Sequence, residues 1–262
     1  RAAGAMTPRI FVAEPFAAGT VVALPGQALR HVQALRLQRG DAVVLFNGRD
    51  GAEWPGELVE IGRSRAVVRV GAAVEVDREL GCAVTLAIGV PANDRMDALV
   101  EKAGELGAAA IQPLVCARSV LRLEGERAEV RRRHWQAVAA SASEQCGRAR
   151  IATVLSIAPF AAWLRSLDAN TAAARIVLSL DREAVDPASA WAQRAAAAAT
   201  PVIVLSGPEG GLEAGEEQAA VAAGFVRVRL GPRVLRADTA PLAWLAWLGL
   251  GGVGAMSGAE RR

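Results

Sequence analysis

The chain has 262 residues, enough for one large domain or two smaller ones. Its net charge of +3 excludes a strong overall positive field, so any surface that binds nucleic acid must be local. Two histidines and three widely separated cysteines without a C-x-x-C pair argue against a metal site and favour a reducing cytosol, hence a cytoplasmic protein.

The first predicted domain, residues 7–76, consists of short apolar or alternating runs separated by Gly, Pro, Asn and Asp turns. These runs are RIFVAEPF, GTVVALP, DAVVLFNG, EWPGELVEIG and RAVVRVG. A helical patch at residues 26–41 interrupts them. Several short strands at this spacing predict a small β-barrel.

The second predicted domain, residues 81–262, follows a linker at residues 75–81 and alternates strands with helices. The strands are AVTLAIGV, AAIQPLVC, IATVLS, ARIVLSL, PVIVLS and FVRVRL. The helices are expected at residues 93–107, where Asn93 or Asp94 is the N-cap, and at residues 126–147, 160–167, 188–199 and 213–223. This alternation predicts an α/β fold with a largely parallel sheet.

A charge-free run from Thr239 to Ala259 is long enough to span a bilayer. Pro241 lies near its start and several glycines lie near its end, so its compact apolar part is short. Trp244 and Trp247 fall one helical turn apart on one face. We predict a buried core helix or a subunit-interface helix here, and no membrane span.

Two predicted strands end in glycine-rich loops, SGPEGGL at residues 206–212 and LGPRVLRADTAPL at residues 230–242. The first loop has neither the lysine of a phosphate-binding P-loop nor the glycine spacing of the dinucleotide fingerprint. The loops follow consecutive strands of one βαβ unit, and such strands commonly lie side by side. Both loops are therefore expected to face one ligand-binding crevice at the carboxyl ends of the strands.

Together the two loops resemble the paired knot motifs of the RsmE family, SPOUT-class methyltransferases that modify uridine N3 of small-subunit (16S) ribosomal RNA. PRIFV at residues 8–12 and HVQALRLQRGD at residues 31–41 resemble the N-terminal PUA-like domain of that family. RMDALVEKAGELG, IQPLVCARSV and HWQAVAASASEQCGR match in order. Asp238 departs from the family, which commonly has Glu at this place.

The resemblance implies an N-terminal PUA-like β-barrel followed by a SPOUT α/β domain with a C-terminal deep trefoil knot. It also implies a homodimer whose active sites use both subunits, and S-adenosylmethionine as the methyl donor. The expected cofactor-binding residues are Leu205, Gly207, Pro208, Glu209, Gly210, Gly211, Leu230, Gly231, Leu235, Arg236, Thr239 and Ala240.

Methylation of uridine N3 requires removal of its proton, so a proton acceptor and a cation near the uracil carbonyls are expected. Arg236 and Arg148 are the candidate cations, and Asp238 or Glu209 is the candidate acceptor. Each has an alternative structural role. Arg236 could form an ion pair with Asp238, Arg148 could cap a solvated helix end, and Glu209 could stabilise the turn.

The expected partner is small-subunit ribosomal RNA or the assembled 30S subunit, with no metal. The RNA-binding candidates are Arg9, His31, Arg36, Arg118, Arg122, Arg131, Arg132 and Arg148. Two other functions remain open on the sequence. One is a knotted RNA-binding protein without catalysis, and the other is methyl transfer to another RNA or to a ribose 2′-oxygen.

Overall fold

The computed structural model describes residues 7–92, 95–168, 173–192 and 200–252. The chain forms two compact units. The first unit runs to Arg78 and takes in Ala140–Ile151, and the second covers Glu79–Ala139 and continues from Ala152. The change of unit after Arg78 falls in the predicted linker, whereas nothing in the sequence pattern indicates that residues 140–151 belong to the first unit.

The first unit is a mostly antiparallel sheet with one helix. Its strands are β1 (Arg9–Phe11), β2 (Val21–Ala23), β3 (Ala42–Phe46), β4 (Ala52–Ile61), β5 (Ala66–Val70) and β6 (Val74–Glu75), and helix α1 covers Gly26–Ala34. The sheet order is β1-β3-β4-β5-β2, with β6 on β4 and only β1 and β3 parallel. Inward side chains alternate along β3 to β5 and meet the apolar face of α1 at Leu29 and Val32, which forms the core of this unit.

An ion-pair cluster centred on Glu53 joins strands β1 and β4 to the segment after β6. Glu53 accepts hydrogen bonds from Arg9 and Arg78, and Arg9 Nη2 donates to the Arg148 carbonyl at 2.9 Å. The Arg9 guanidinium also lies 4.8 Å from the centre of the Phe46 ring. Burial opposes ionisation of Glu53, but the hydrogen bonds and charges of the two arginines outweigh it and lower its pKa.

Glu53→Gln is expected to destabilise the first unit by about 3 kcal/mol, because Arg9, whose side chain is only 9% exposed, loses its charged partner. The pKa of Glu53 is lower in the folded than in the unfolded state. Its stabilisation is therefore present above the unfolded-state pKa and is lost as the pH falls through the folded-state value. Urea unfolding should show a difference from wild type that shrinks below about pH 4. Glu57→Gln, in an exposed pair with Arg69, is the control. If the difference in unfolding free energy between wild type and Glu53→Gln did not change with pH, the lowered pKa of Glu53 would be contradicted.

The second unit is a seven-stranded sheet. Its strands are β7 (Val84–Gly89), β8 (Ala110–Val115), β9 (Thr153–Val154), β10 (Ala158–Pro159), β11 (Ala174–Leu178), β12 (Val202–Ser206) and β13 (Val226–Val228). The order is β10-β8-β7-β12-β11-β13, with β9 also on β8, and every pairing among these described strands is parallel. The α/β fold and its parallel sheet are confirmed. The two-residue strands β6 and β10 were not predicted, since they are too short for a periodic signal.

The helices that connect these strands are α2 (Arg95–Glu105), α3 (Gly125–Cys146), α4 (Phe160–Ser166), α5 (Pro187–Ala192), α6 (Ala214–Ala222) and α7 (Thr239–Trp247). A π-helical turn, Leu248–Gly252, follows α7. The proposed N-caps Asn93 and Asp94 lie outside the described residues, as do residues 193–199 of the predicted helix at 188–199.

The prediction that β12 and β13, the two strands that end in glycine loops, lie side by side is wrong. β11 lies between β12 and β13, and Ile176 of β11 is in register with Val204 on one side and Val226 on the other. Strands that follow each other in sequence are neighbours only about two-thirds of the time. Here a strand from earlier in the chain takes the central place, so three carboxyl ends, rather than two, meet at this edge of the sheet.

Helix α7 contributes to the core of the second unit. Trp244 and Leu245 are 0% exposed, and the Trp244 ring lies 6.5 Å from that of Trp191 and 5.2 Å from that of Trp247. Trp247 is partly exposed. The apolar run is thus a core helix at Trp244, and only its other face is accessible to a partner. Within the part of the chain that the structure describes, no helix is both long and apolar enough to cross a membrane.

Candidate cofactor-binding site

A cavity of about 390 Å³ opens at the carboxyl ends of β11, β12 and β13 in the second unit. Three segments wall it. They are the end of β11 with its following residues (178–180), the first glycine loop (206–212), and the segment from the end of β13 to the start of α7 (228–240). Its volume is in the range of small-molecule sites. The three strand ends therefore form the ligand crevice that a parallel sheet offers at this edge.

Close backbone packing shapes the first glycine loop. A Cβ atom on Gly207 would lie 2.6 Å from the Leu212 nitrogen and 2.8 Å from the Gly211 carbonyl carbon. A Cβ atom on Gly89, at the end of β7, would lie 2.5 Å from Pro208 Cδ. Gly211 has a φ of +70°, which favours glycine. The loop folds back on itself tightly, and its glycines leave main-chain groups uncovered at the cavity.

Glu209 stabilises this loop. Its Oε1 accepts a hydrogen bond from the Ala92 N–H at 2.9 Å, and Arg95 Nη1 lies 3.7 Å from the same oxygen. The side chain thus ties the glycine loop to the segment after β7. This geometry supports the structural role of Glu209 rather than that of proton acceptor.

Arg118 lines the cavity, although the sequence placed it among the RNA-binding candidates. Its Nη1 donates to the Gly210 carbonyl at 2.9 Å. The neighbouring Ala117 N–H donates to Glu216 Oε1 at 2.8 Å, at the start of α6. The loop after β8 is thereby bonded both to the glycine loop and to the helix that follows it.

Glu217 is a cavity residue that the sequence reasoning missed. Its Oε1 accepts from Ser179 Oγ at 2.9 Å and from Arg227 Nε at 2.7 Å. Ser179 follows β11 and Arg227 lies in β13, so Glu217 connects the end of β11 and strand β13 to helix α6. A positional signal exists for Ser179 alone, because it lies just beyond the carboxyl end of a buried parallel strand.

The expected cofactor residues divide into two groups. Those that line the cavity are Gly207, Pro208, Glu209, Gly210, Gly211, Leu230, Leu235 and Ala240. Gly231, Arg236 and Thr239 lie in or next to the second loop but outside the lining. Leu205 is 0% exposed and supports the wall from within the core. Lining residues beyond those expected include Arg233, Val234 and Ala237.

The three catalytic candidates lie in different surroundings. Asp238 Oδ1 is buried and has no hydrogen-bond partner among the described residues. Arg236 is exposed. Arg148 is 3% exposed and belongs to the first unit, so it is not the solvated helix end that its sequence position suggested. An unpaired buried carboxylate oxygen is costly, which makes Asp238 the unusual feature of the second loop.

Some of the remaining RNA-binding candidates are exposed, and others are paired with a carboxylate of this chain. Arg36, Arg122 and Arg131 are exposed. Arg132 pairs with Glu129 at 2.6 Å, and Arg9 is held by Glu53. His31 Nδ1 lies 3.3 Å from Glu144 Oε1. The described residues contain no cluster of three or more His, Cys, Asp or Glu side chains that could hold a metal ion.

Comparisons with known proteins match most of the chain. An RNA methyltransferase PUA domain model matches residues 24–71, and an RNA methyltransferase domain model matches residues 78–249. Ribosomal RNA small subunit methyltransferase E of Bacillus subtilis is 30% identical over 221 residues, which is 84% of this chain and 86% of that protein. The protein of the same name from Synechocystis is 31% identical over 237 residues, 90% of this chain and 75% of its own length. A crystal structure of Ribosomal RNA small subunit methyltransferase E from Neisseria gonorrhoeae, bound to S-adenosyl methionine, has a TM-score of 0.83 at 34% identity and covers 92% of this chain and 96% of that one.

Proposed function

The chain belongs to the RsmE family of ribosomal RNA small subunit methyltransferases, and on this premise we propose that it methylates N3 of a uridine in 16S ribosomal RNA with S-adenosylmethionine as donor. The observation that carries the proposal is the cavity of about 390 Å³ that both glycine loops wall. A relative 34% identical over 92% of this chain binds the same cofactor.

The cavity suits S-adenosylmethionine. Leu178, Leu230 and Leu235 offer apolar surface to a flat adenine ring, and the main chain of the glycine loop offers hydrogen-bonding groups without side chains in the way. When bound, the cofactor supplies an electrophilic methyl group on a sulfonium. Arg118, Arg233 and Glu217 provide both signs of charge for its amino-acid end.

The transfer itself breaks the methyl carbon–sulfur bond and forms a bond from uridine N3 to the same carbon. The N3 proton leaves, so the products are N3-methyluridine, S-adenosylhomocysteine and a proton. Asp238 is the proposed acceptor, supported by its buried Oδ1 without a partner. Arg236, two residues earlier, stabilises negative charge on the uracil oxygens, and Arg148 is the second proposed cation.

The finer architecture is part of the proposal. Residues 7–76 form a PUA-like β-barrel that binds RNA, and residues 81–262 form a SPOUT domain with a C-terminal trefoil knot. The match of the PUA model to residues 24–71 supports the first assignment. The substrate is the RNA itself or the assembled 30S subunit, and both place the enzyme in the cytoplasm.

We also propose a homodimer. On α7 and the turn after it, Leu242 and Trp247 are partly exposed and Leu250 is 87% exposed. Val234, on the second cavity loop, is 76% exposed. Exposed apolar groups of this kind commonly mark an interaction surface, and a second copy seated here would cover them beside the cofactor loop.

Gly210→Val is expected to weaken S-adenosylmethionine binding at least about tenfold, a loss of roughly 1.4 kcal/mol. A Cβ atom at this position lies 3.1 Å from Arg118 Cβ, so the valine methyl groups displace Arg118 or enter the cavity. Calorimetry measures the affinity. Gly210→Ala is the graded control, because Arg118 can move to accommodate one carbon.

Mass spectrometry of 16S nucleosides after reaction with the wild-type enzyme tests the reaction. N3-methyluridine supports the proposal. A 2′-O-methylated nucleoside would replace it with ribose methylation, and cofactor binding without any methylation would indicate an RNA-binding protein. Unchanged affinity in Gly210→Val would exclude this cavity as the cofactor site.

A further inference from the structure

A second cavity, of about 360 Å³, lies entirely within the first unit. It opens between α1, the residues after β1 and the end of α3. Its polar lining comes from Gln27, His31, Ser141 and Glu144, and Phe11 and Ala13 provide part of its apolar lining. The cofactor chemistry above uses none of these groups. A concave site with an aromatic ring and several convergent polar groups is the form that a ligand pocket takes.

Glu144 is held in place in this cavity. Its Oε1 accepts the Phe11 N–H at 2.8 Å, and the His31 imidazole approaches the same oxygen through Nδ1 at 3.3 Å. The side chain is 15% exposed. One carboxylate oxygen is therefore committed to the protein, while the carboxylate as a whole remains on the cavity wall as a hydrogen-bond acceptor.

The carboxylate of Glu144 on the cavity wall determines which ligands the cavity can bind. A carboxylate repels phosphate but accepts hydrogen bonds from a nucleobase. Adenine and cytosine present an amino group beside a ring nitrogen that is itself an acceptor, which a carboxylate also repels. Guanine is the base that presents two adjacent donors, N1–H and the N2 amino group.

We propose that this cavity binds an unstacked guanine of the RNA substrate, with Glu144 accepting from its Watson–Crick edge and Phe11 contacting its ring. Sequence-specific recognition of RNA commonly uses single-stranded bases that are splayed out, stacked on aromatic rings and hydrogen-bonded at their edges. The inference rests on the proposed function, since it assumes an RNA substrate, and it adds a base preference that the methyl-transfer site does not supply.

Cations on α1 and just after it suit the backbone of such an RNA. Arg30 lies on α1, and its Nη1 would be 3.7 Å from a Cβ atom on Gly26, at the helix start that adjoins Gln27. Arg36 and Arg39 follow the helix and are exposed. A phosphate outside the cavity can therefore meet positive charge while the base enters a cavity that carries a carboxylate.

The test is the affinity of the full-length protein for short single-stranded oligouridines that carry guanosine, inosine or adenosine at one central position. Inosine lacks the N2 amino group, and adenosine lacks both donors. Fluorescence anisotropy is expected to show binding of the guanosine oligomer about tenfold tighter than that of the adenosine oligomer, with inosine between them. Glu144→Gln should reduce this preference to less than about twofold, because the amide presents a donor in place of one acceptor oxygen.

Two controls separate base reading from charge and from folding. Glu57→Gln removes the same charge from an exposed site in the same unit, and should raise the affinity for all three oligomers equally without changing the preference. Ala13→Trp places bulk at an exposed position of the cavity lining, and should abolish the preference without changing the thermal stability.

Equal affinities of the wild-type protein for the three oligomers would overturn the proposal, as would an undiminished preference in Glu144→Gln. S-adenosylmethionine affinity and 16S methylation are measured on the same preparations. Absence of a base preference in the wild-type protein, with methylation intact, refutes only the guanine cavity. Absence of methylation by the wild-type enzyme refutes the proposed function instead.

Discussion

Gly207→Ala is expected to abolish S-adenosylmethionine binding and methyl transfer, with an affinity loss of at least about 100-fold, or roughly 2.7 kcal/mol. The added methyl group would lie 2.6 Å from the Leu212 nitrogen and 2.8 Å from the Gly211 carbonyl carbon, both of them backbone atoms. No side-chain rotation relieves this contact, so the loop must open. The Gly207 main chain lines the cavity, and its displacement moves the cofactor wall itself.

Gly215→Ala is the matched control for this variant. Gly215 lies in the first turn of α6, its φ is not positive, and a Cβ atom there meets nothing within 4 Å. The same substitution eight residues away should leave binding unchanged and stabilise the helix by up to about 1 kcal/mol. Calorimetry for binding and urea unfolding for stability measure both variants. Wild-type affinity in Gly207→Ala would show that the loop does not hold the cofactor.

Trp244→Ala is expected to destabilise the second unit by about 3–5 kcal/mol, the usual loss for a fully buried tryptophan. The side chain is 0% exposed and its ring packs beside those of Trp191 and Trp247. Its Nε1 is buried without a hydrogen-bond partner among the described residues. Trp244→Phe should therefore reduce the free energy of unfolding by less than the smaller side-chain volume alone predicts, because the substitution also removes the unpaired Nε1 donor.

Trp247→Ala is the comparison on the same helix, since this ring is only partly buried in the subunit. It should cost less than half as much stability as Trp244→Ala. Urea unfolding gives the free energies, and sedimentation of the folded Trp247 variant tests whether this face holds the proposed dimer together. Equal losses for both tryptophans would contradict the division of α7 into a core face and an accessible face.

Periodicity was a good guide to the local elements and a poor one to their neighbours. The apolar runs of the second unit became parallel strands because a strand buried on both faces needs continuous Val, Ile and Leu. The position of β11 between β12 and β13 depends on tertiary packing that no local pattern records. For the same reason no sequence signal placed Glu217, on α6, in the cavity lining.

Charge was equally hard to interpret from sequence position. The alternative role of Arg148 as a solvated helix end is wrong, since Arg148 is 3% exposed and belongs to the first unit. Arg118 was predicted to bind RNA, yet it lines the cavity and donates to the Gly210 carbonyl. The glycine loops themselves could be recognised from the sequence. Tight backbone packing allows few residue types other than glycine, so the glycines appear directly in the motif.

The discontinuous first unit sets an order of events during synthesis. Its sheet is encoded by residue 78, but the Phe11 N–H, the Arg9 guanidinium and the Gly48 carbonyl form bonds with residues 144, 148 and 151. A nascent chain that has exposed only its first strands cannot complete these bonds. N-terminal domains generally fold first on the ribosome. Here the N-terminal unit must wait until residues 79–139, about a third of the second unit, have been translated. A stop or a slow stretch of codons within residues 79–139 would therefore leave an unfinished first unit exposed to proteolysis and aggregation.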